Sequence, residues 1–459
     1  MPRDLRPRTL PEALVVIQQL VARIEELEER LHQNSQNSSR PPSTDPPHRR
    51  PPPRRPPSGR KPGGQPGHDD QQRELLAIAD VDEVVPVKPR RCQRCGAGLR
   101  GCDPTPRRHQ VTEVPPVRPH VTEYQLHTLS CAHCGEATAA ALPPGVPRGA
   151  FGPRLQATVA VCTGVYHLSR RTTVGMLADL FGVPVALGTV TACEQAVSGA
   201  VAGPVADAHA YVQAQDVLHS DETSWREQRR GAWLWVIVSA LVTVFLVHRR
   251  RNRAAAQALL GPLSQAILVT DRWGAYRHWA VEQRQLCWAH LQRDFTAFTE
   301  RGGVAARVGR ALLRETQAMF AQWHRVRDGT LTHQQFWRQM RPRRARVEAL
   351  LQRGADRADA KTAGTCRQVL TLRTALWTFI DLPGVEPTNN AAERALRPAV
   401  LWRRKSFGSH SDTGSRFAER MLTVAATLKQ QGRNIVDYVT AACEASLHQT
   451  PAPSLLPSN

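Results

Sequence analysis

Val217-Leu218-His219-Ser220-Asp221-Glu222-Thr223 is the stretch on which the reading of this chain turns. Its apolar start has strand character, and the run delivers an acid at its end. A second run of the same kind, Ala266-Ile267-Leu268-Val269-Thr270, delivers Asp271 and continues as Arg272-Trp273-Gly274-Ala275-Tyr276. A third acid, Glu393, lies in Thr388-Asn389-Asn390-Ala391-Ala392-Glu393-Arg394-Ala395-Leu396-Arg397, which opens a helix. Each acid has a plain structural explanation. Asp is common where a strand meets a turn, and Asn390-x-x-Glu393 has the spacing of a capping box. Together, two strand-end carboxylates and one at a helix start are a donor set for paired divalent cations acting on a phosphodiester. Mg2+ (or Mn2+) suits hard oxygen ligands and keeps part of its coordination open to phosphate. Glu222 is the alternative partner for Asp221.

Composition narrows the partner. The chain has 459 residues, room for several domains, and a formal net charge of +21 supplied almost entirely by Arg. Arg grips phosphate bidentately, and an excess of this size points to a polyanion, namely nucleic acid. A codon bias toward Arg would raise its count without explaining the excess over acids. Two of the Cys pairs have Cys-x-x-Cys spacing, which indicates metal binding in a reducing compartment, here the cytoplasm, rather than a disulfide framework. The apolar run Ala232–Val247 is shorter than the ~18–20 residues of a membrane span and contains Ser239 and Thr243. Its Val, Ile and Trp content reads as two buried strands.

The N-terminal third is modular. Over residues 9–32, Leu10, Ile17, Ile24 and Leu31 recur every seven positions, with Ala13, Leu20 and Leu27 three further on. This is a coiled-coil seam for a homodimer or higher oligomer, or one amphipathic helix packed on its own domain. Residues 33–60, rich in Pro and Arg, form a disordered linker. Residues 61–145 open with Lys61 beside the glycines of Gly63-Gly64-Gln65-Pro66-Gly67-His68, where backbone can approach phosphate. They continue to Cys92-x-x-Cys95 and Cys131-x-x-Cys134. Each pair is followed by Gly, and four thiolates would form a structural Zn2+ site. The stretches Val111–Val114 and Val121–Tyr124 alternate as a small sheet between the pairs. Across 151–205 two helices meet at Gly182, in the manner of a helix-turn-helix or a plain helical hairpin.

The rest reads as multidomain α/β. Residues 215–295 give strands at 217–219, 233–238, 242–247 and 266–269 with a helix at 252–260, the order of an RNase H-like core. Cys287 and His290 share one helix face but lack further ligands nearby, so packing around the acids is their expected role. Residues 296–382 are a helical insertion with a basic cluster at Arg341–Arg346. Residues 383–445 complete the core, and 446–459 are a disordered tail. Arg394, Arg397, Arg403 and Arg404 follow Glu393 along its helix, placed for phosphate contact.

His219-Ser220-Asp221-Glu222-Thr223, Thr270–Tyr276, Cys287-Trp288-Ala289-His290 and Asn389–Arg394, in this order, resemble the DDE transposases of the insertion-sequence-66 family. The ordered set carries the resemblance, which runs from about residue 9 to 440. It implies that Asp221 and Asp271 lie on neighbouring strands and that Asp221, Asp271 and Glu393 bind the catalytic metals. It further implies cleavage at terminal inverted repeats, strand transfer into target DNA and element-encoded helper proteins. A zipper-like helix and a zinc-binding segment belong to the same pattern. Two positions depart from it: Arg272 stands where Gly is more usual, and Asp294 where a basic residue is. The competing readings are a metal-dependent nuclease that does not join, and a zinc-ribbon DNA-binding protein with an inactive core.

Overall fold

The computed structural model describes residues 74–261 and 265–457, with individual positions between 9 and 24. Lys61, the linker, the Gly63–His68 signature and most of residues 9–32 lie outside the described residues. The described positions from Leu10 to Ile24 are helical, and Leu10, Leu14, Ile17, Val21 and Ile24 are exposed. No helix among the described residues is long and apolar enough to cross a membrane.

The chain divides into a small unit, His48–Arg118, and a large one formed by the remainder. In the small unit the Cys92–Cys95 turn closes through Cys92 N–H to the Ala97 carbonyl (2.8 Å) and Gly96 N–H to the Cys92 carbonyl (2.9 Å). Gly96 sits at φ +77°, which only glycine adopts cheaply. The expected sheet between the Cys pairs is not formed: Val111–Val114 and Val121–Tyr124 are not strands, and Val111 and Val121 are about four-fifths exposed. Alternation alone does not make a strand without an apolar face to bury. In the large unit β1 (Thr128–Ser130) and β2 (Ala137–Ala139) instead flank Cys131–Cys134 as an antiparallel hairpin.

Helices α1 (Pro153–Gly164), α2 (Arg170–Phe181), α3 (Leu187–Ala200) and α4 (Ala202–Gln213) follow. Ser169 caps α2, accepting from Thr172 N–H at 3.0 Å, and Gly182 ends it in the left-handed region at φ 64°. The central sheet is built from β3 (Val217–Glu227), β4 (Arg230–Val238), β5 (Thr243–His248), β6 (Ile267–Thr270) and β7 (Arg284–Leu286). Its order is β5-β4-β3-β6-β7, antiparallel through the first three strands and parallel across β3-β6-β7. Strand β3 does not end at Asp221 but runs on to Glu227, so this acid lies within a strand. The reason is the turn Gln228–Arg229, with φ of 51° and 63°. Two left-handed residues make the tight hairpin that ties β3 to β4. The turn is held from outside by Gln228 N–H on the Ser409 carbonyl (2.9 Å).

The sheet has two faces. Leu218, Trp235, Ile237 and Val244 pack on α1, α3, α4 and α5 (Arg253–Leu260). Trp225, Leu234, Val236, Phe245 and Val247 pack on α11 (Asn390–Ser406) and α12 (Asp412–Gln430). Between β7 and α11, helices α6 (Trp288–Thr299), α7 (Gly303–Arg327), α8 (His333–Arg357), α9 (Ala360–Thr371) and α10 (Thr378–Asp381) carry their own core around Trp288, Trp323, Phe336, Trp377 and Phe379. Within that insertion Arg343 and Arg346 both pair with Glu315, at 2.7 and 3.1 Å. Part of the basic cluster is therefore neutralised internally. Helix α13 (Ile435–His448) closes the fold. The tail beyond it is docked rather than disordered: Leu455 is 1% exposed, and the Pro453, Ser454 and Leu455 carbonyls accept from Tyr438, Arg433 and Gln431. One buried leucine and three hydrogen bonds outweigh what its Pro-rich composition suggests.

Helix α12 lies along the open edge of β5. Thr427 Oγ1 accepts from Thr243 N–H (3.1 Å), Thr423 Oγ1 from Phe245 N–H (3.0 Å) and Glu419 from Val247 N–H. Alternate strand residues are about 6.8 Å apart, and helix residues four apart about 6 Å, so the two rows stay in step. The stripe Phe417, Met421, Val424 and Leu428 serves one core, and Ala418 with Leu422 the other. We expect Thr423→Val to leave the Phe245 N–H unpaired in a dry site and to cost about 1–3 kcal/mol. Urea unfolding should show a lower midpoint with an unchanged slope.

Burial pushes the Glu419 carboxyl up to about 7, against the Arg416 guanidinium 2.8 Å away. A raised carboxylate favours the protonated folded state. Its contribution is complete below the unfolded value near 4.5 and is lost as pH rises through 7. That loss is about 3 kcal/mol. Stability measured from pH 4.5 to 8 should fall in the wild type and fall less in Glu419→Gln.

Candidate functional site

The site grows from the register of two parallel strands. His219 in β3 stands opposite Val269 in β6. Two residues further along each strand direction come Asp221 and Asp271. Side chains alternate along a strand, so Asp221 shares the face of Trp225, which packs toward α11, while Glu222 points to the other face. Glu222 is engaged there. Arg251 binds it at 2.6 Å and the Tyr276 hydroxyl donates to it at 2.8 Å. The Arg251 guanidinium is sandwiched against Trp273 (4.1 Å) and Trp233 (4.8 Å). Glu222 is therefore a brace on the far side of the strand, which favours Asp221 as the acid facing α11. Asp271 accepts from Trp273 N–H at 2.8 Å, which fixes the turn after β6.

Asn389 positions the third acid. It is fully buried; its side-chain amide donates to the Ser220 carbonyl (2.8 Å), and its backbone N–H donates to Cys287 Sγ (3.1 Å). Helix α11 starts immediately after it without a side-chain cap. The Asn390–Glu393 capping box is thus not made, and Glu393 is turned to other work. Its Oε1 lies 3.7 Å from His290 Nδ1 and 3.5 Å from Arg293 on α6. Burial holds His290 down at about 4, so its imidazole is neutral at neutral pH and the contact is dipolar rather than an ion pair. Both His290 Nδ1 and Glu393 Oε1 are buried and lack a hydrogen-bond partner.

The acids sense one another. Burial, then the charges of Glu222, Asp271 and Glu393, push Asp221 well above the ordinary carboxylate range. Burial also raises Glu393, with Arg293 opposing and Asp271 adding to the rise. Among the described residues, however, the set of possible ligands that closes within 4.8 Å is Cys287, His290 and Glu393. The Cys-x-x-His spacing shows two of these; the third comes only from the fold. Burial pushes the Cys287 thiol up to about 11.

Of the basic residues, Arg394, Arg397 and Arg404 are exposed along α11. Arg403 differs: it bonds Thr223 Oγ1 (3.0 Å) and the Ser224 carbonyl and so braces β3. Arg272 and Asp294, the two departures noted above, pair with each other at 2.7 Å. The Cys131–Cys134 turn repeats the geometry of Cys92–Cys95, with Gly135 N–H on the Cys131 carbonyl (2.8 Å) and Gly135 at φ +77°. In each turn, backbone amides of the second Cys and the residue before it lower the thiol of Cys92 or Cys131.

A model of the transposase IS66 family matches residues 148–417, more than half of the chain, a range that includes Asp221, Asp271 and Glu393. The chain belongs to the IS66 transposase family. Residues 3–74 match a family of unknown function, DUF6444. The uncharacterized protein y4qI of Sinorhizobium fredii (strain NBRC 101917 / NGR234) is 27% identical over 235 residues, 46% of this chain. The matched stretch spans 42% of that relative's length. Within this IS66 chain, the matched region holds β3, β6, α6 and α11, the elements that assemble the site.

Asn389→Ala removes the donor to Ser220 inside a buried site. We expect a loss of about 1–3 kcal/mol, read as a lower urea midpoint. An unchanged midpoint would mean that α11 is anchored elsewhere.

Proposed function

We propose that this chain is a DDE transposase that cleaves DNA at the ends of its element and joins the freed 3′-hydroxyl to target DNA. The observation that carries the reading is the pairing of β3 with β6, which sets Asp221 and Asp271 two residues beyond the paired His219 and Val269, beside the charges of Asp271 and Glu393 that raise Asp221 and the charge of Asp271 that raises Glu393. The strand order β5-β4-β3-β6-β7, with its antiparallel and parallel halves, supports an RNase H-like core.

The donor set fits Mg2+ or Mn2+. It consists of hard carboxylate oxygens that repel one another, and Glu393 Oε1 has no hydrogen-bond partner. Asp221, Asp271 and Glu393 would hold the ions, which when bound activate the attacking oxygen and stabilise the leaving oxygen. Asp221 and Asp271 are delivered by β3 and β6, whose pairing fixes their relative position. Glu393 is carried by α11, anchored through Asn389. Arg394, Arg397 and Arg404 line the same helix and would hold the DNA backbone by neutralising phosphates, which sets register without reading sequence. With Lys61 they form the proposed phosphate contacts.

The Cys92–Cys95 and Cys131–Cys134 turns offer thiols with amides aimed at them, the donor chemistry of Zn2+. These turns and the α2–α3 pair would bind the terminal repeats. The exposed apolar positions Leu10, Ile17 and Ile24 recur every seven residues, with Leu20 three beyond Ile17, a seam suited to pairing protomers.

Asp221→Asn tests the reading. Binding to element-end DNA should be retained within a few-fold, while cleavage and joining in Mg2+ fall by at least a hundredfold. Cleavage by the wild type without joining of a 3′-hydroxyl end would indicate a nuclease. Equal behaviour of mutant and wild type in an integration assay would leave a DNA-binding protein with an inert core.

A further inference from the structure

Cys287, His290 and Glu393 make a second constellation that shares Glu393 with the carboxylate set, so a zinc-class ion here and the proposed Mg2+ pair compete for the Glu393 carboxylate. We propose that these three residues bind one divalent cation of the zinc class through a thiolate, an imidazole and a carboxylate. Cys287 is the N-cap of α6 and His290 lies one turn on, so both face the same side. Helix α11 brings Glu393 to them, and one donor atom of each residue lies within 4.8 Å of the others. A tetrahedral zinc with bonds of about 2.0–2.3 Å keeps its donors roughly 3.3–3.7 Å apart. His290 Nδ1 and Glu393 Oε1 already stand at 3.7 Å.

Three further observations point to a cation. His290 Nδ1 and Glu393 Oε1 are buried and have no hydrogen-bond partner, although each would ordinarily be satisfied in a folded protein. The Asn389 backbone N–H donates to Cys287 Sγ at 3.1 Å and fixes the sulfur beside His290, partly offsetting the burial that otherwise keeps the thiol protonated until a metal displaces its proton. The sulfur itself is enclosed, but the His290 and Glu393 side chains are 25% and 37% exposed and leave an approach for an ion. Thiolate and imidazole select zinc-like ions over Mg2+. Three protein ligands leave a fourth position for water. Arg293, 3.5 Å from Glu393 Oε1, is the competing cation and gives up that contact when the metal enters.

The proposal does not rest on transposase activity, and its test uses no DNA. Cobalt(II) reports a thiolate ligand by a charge-transfer band in the near ultraviolet. The full chain carrying Ser at Cys92, Cys95, Cys131 and Cys134 should still take up one cobalt per chain with that band, and zinc should bleach it. Cys287→Ser in this background should abolish the band, and His290→Gln or Glu393→Gln should weaken binding at least tenfold. If the four-serine chain does not fold, cobalt stoichiometry in the otherwise wild-type chain should drop by one equivalent on Cys287→Ser. A four-serine chain that folds yet shows no band, a band that survives Cys287→Ser, or an unchanged stoichiometry overturns the proposal.

Discussion

Asn389 has no solvent exposure, and it joins three elements that are remote in sequence. Its side chain holds the backbone of β3 one residue before Asp221, while its own N–H holds the sulfur at the start of α6. The helix bearing Glu393 begins at the next residue. A buried amide of this kind has little freedom to shift, because each lost hydrogen bond leaves a desolvated group behind. The acid on the helix is therefore indexed to the acid on the strand by the Asn389 side-chain hydrogen bond to the Ser220 carbonyl, added to the packing of Ala392, Leu396 and Ala399 on the sheet. The parallel register of β3 and β6 does the same for Asp271. Across the strand, the Arg251–Glu222–Tyr276 network stiffens the opposite face.

Both edges of the sheet are covered by the chain itself. On one side, α12 supplies a row of side-chain acceptors in step with the free N–H groups of β5. On the other, Gln285 and the segment around Leu376–Phe379 cover β7: Phe379 N–H donates to Gln285 (2.9 Å) and Thr378 Oγ1 donates to the Arg284 carbonyl (2.6 Å). The sheet thus presents little unpaired backbone to another molecule. Contacts with DNA or with a second protomer must come from helices and loops.

How much of this was legible in the sequence depends on whether a signal is local. The run Ala266–Thr270 announced β6 and Asp271 because a buried parallel strand is continuously apolar. The length of β3 was hidden because its hairpin uses Gln228-Arg229, where the usual signal is Asn or Gly. Strand β7 has three residues, too few for a periodic pattern. The seam of α12 is half visible: the spacing of Phe417, Met421, Val424 and Leu428 marks a buried helix stripe, whereas Glu419, Thr423 and Thr427 give no hint that strand N–H groups await them. Cys287 and His290 were visible as a pair. The residues that complete their surroundings lie on α11, and Asn389, which brings that helix in, is 102 positions beyond Cys287. No local rule reaches that far.

The cover over β5 has a consequence for the order in which the molecule is made. Its three acceptors follow the strand they serve by 172 to 184 residues. At ~5–20 residues per second a ribosome needs roughly 10–35 s to deliver them. For that interval a nascent chain carries a formed or forming hairpin with one open edge, and only α12, 172 to 184 residues downstream of the β5 residues it pairs with, closes it. Vectorial synthesis therefore makes this domain complete late, and a polypeptide interrupted before α12 would leave the ribosome with its sheet uncapped.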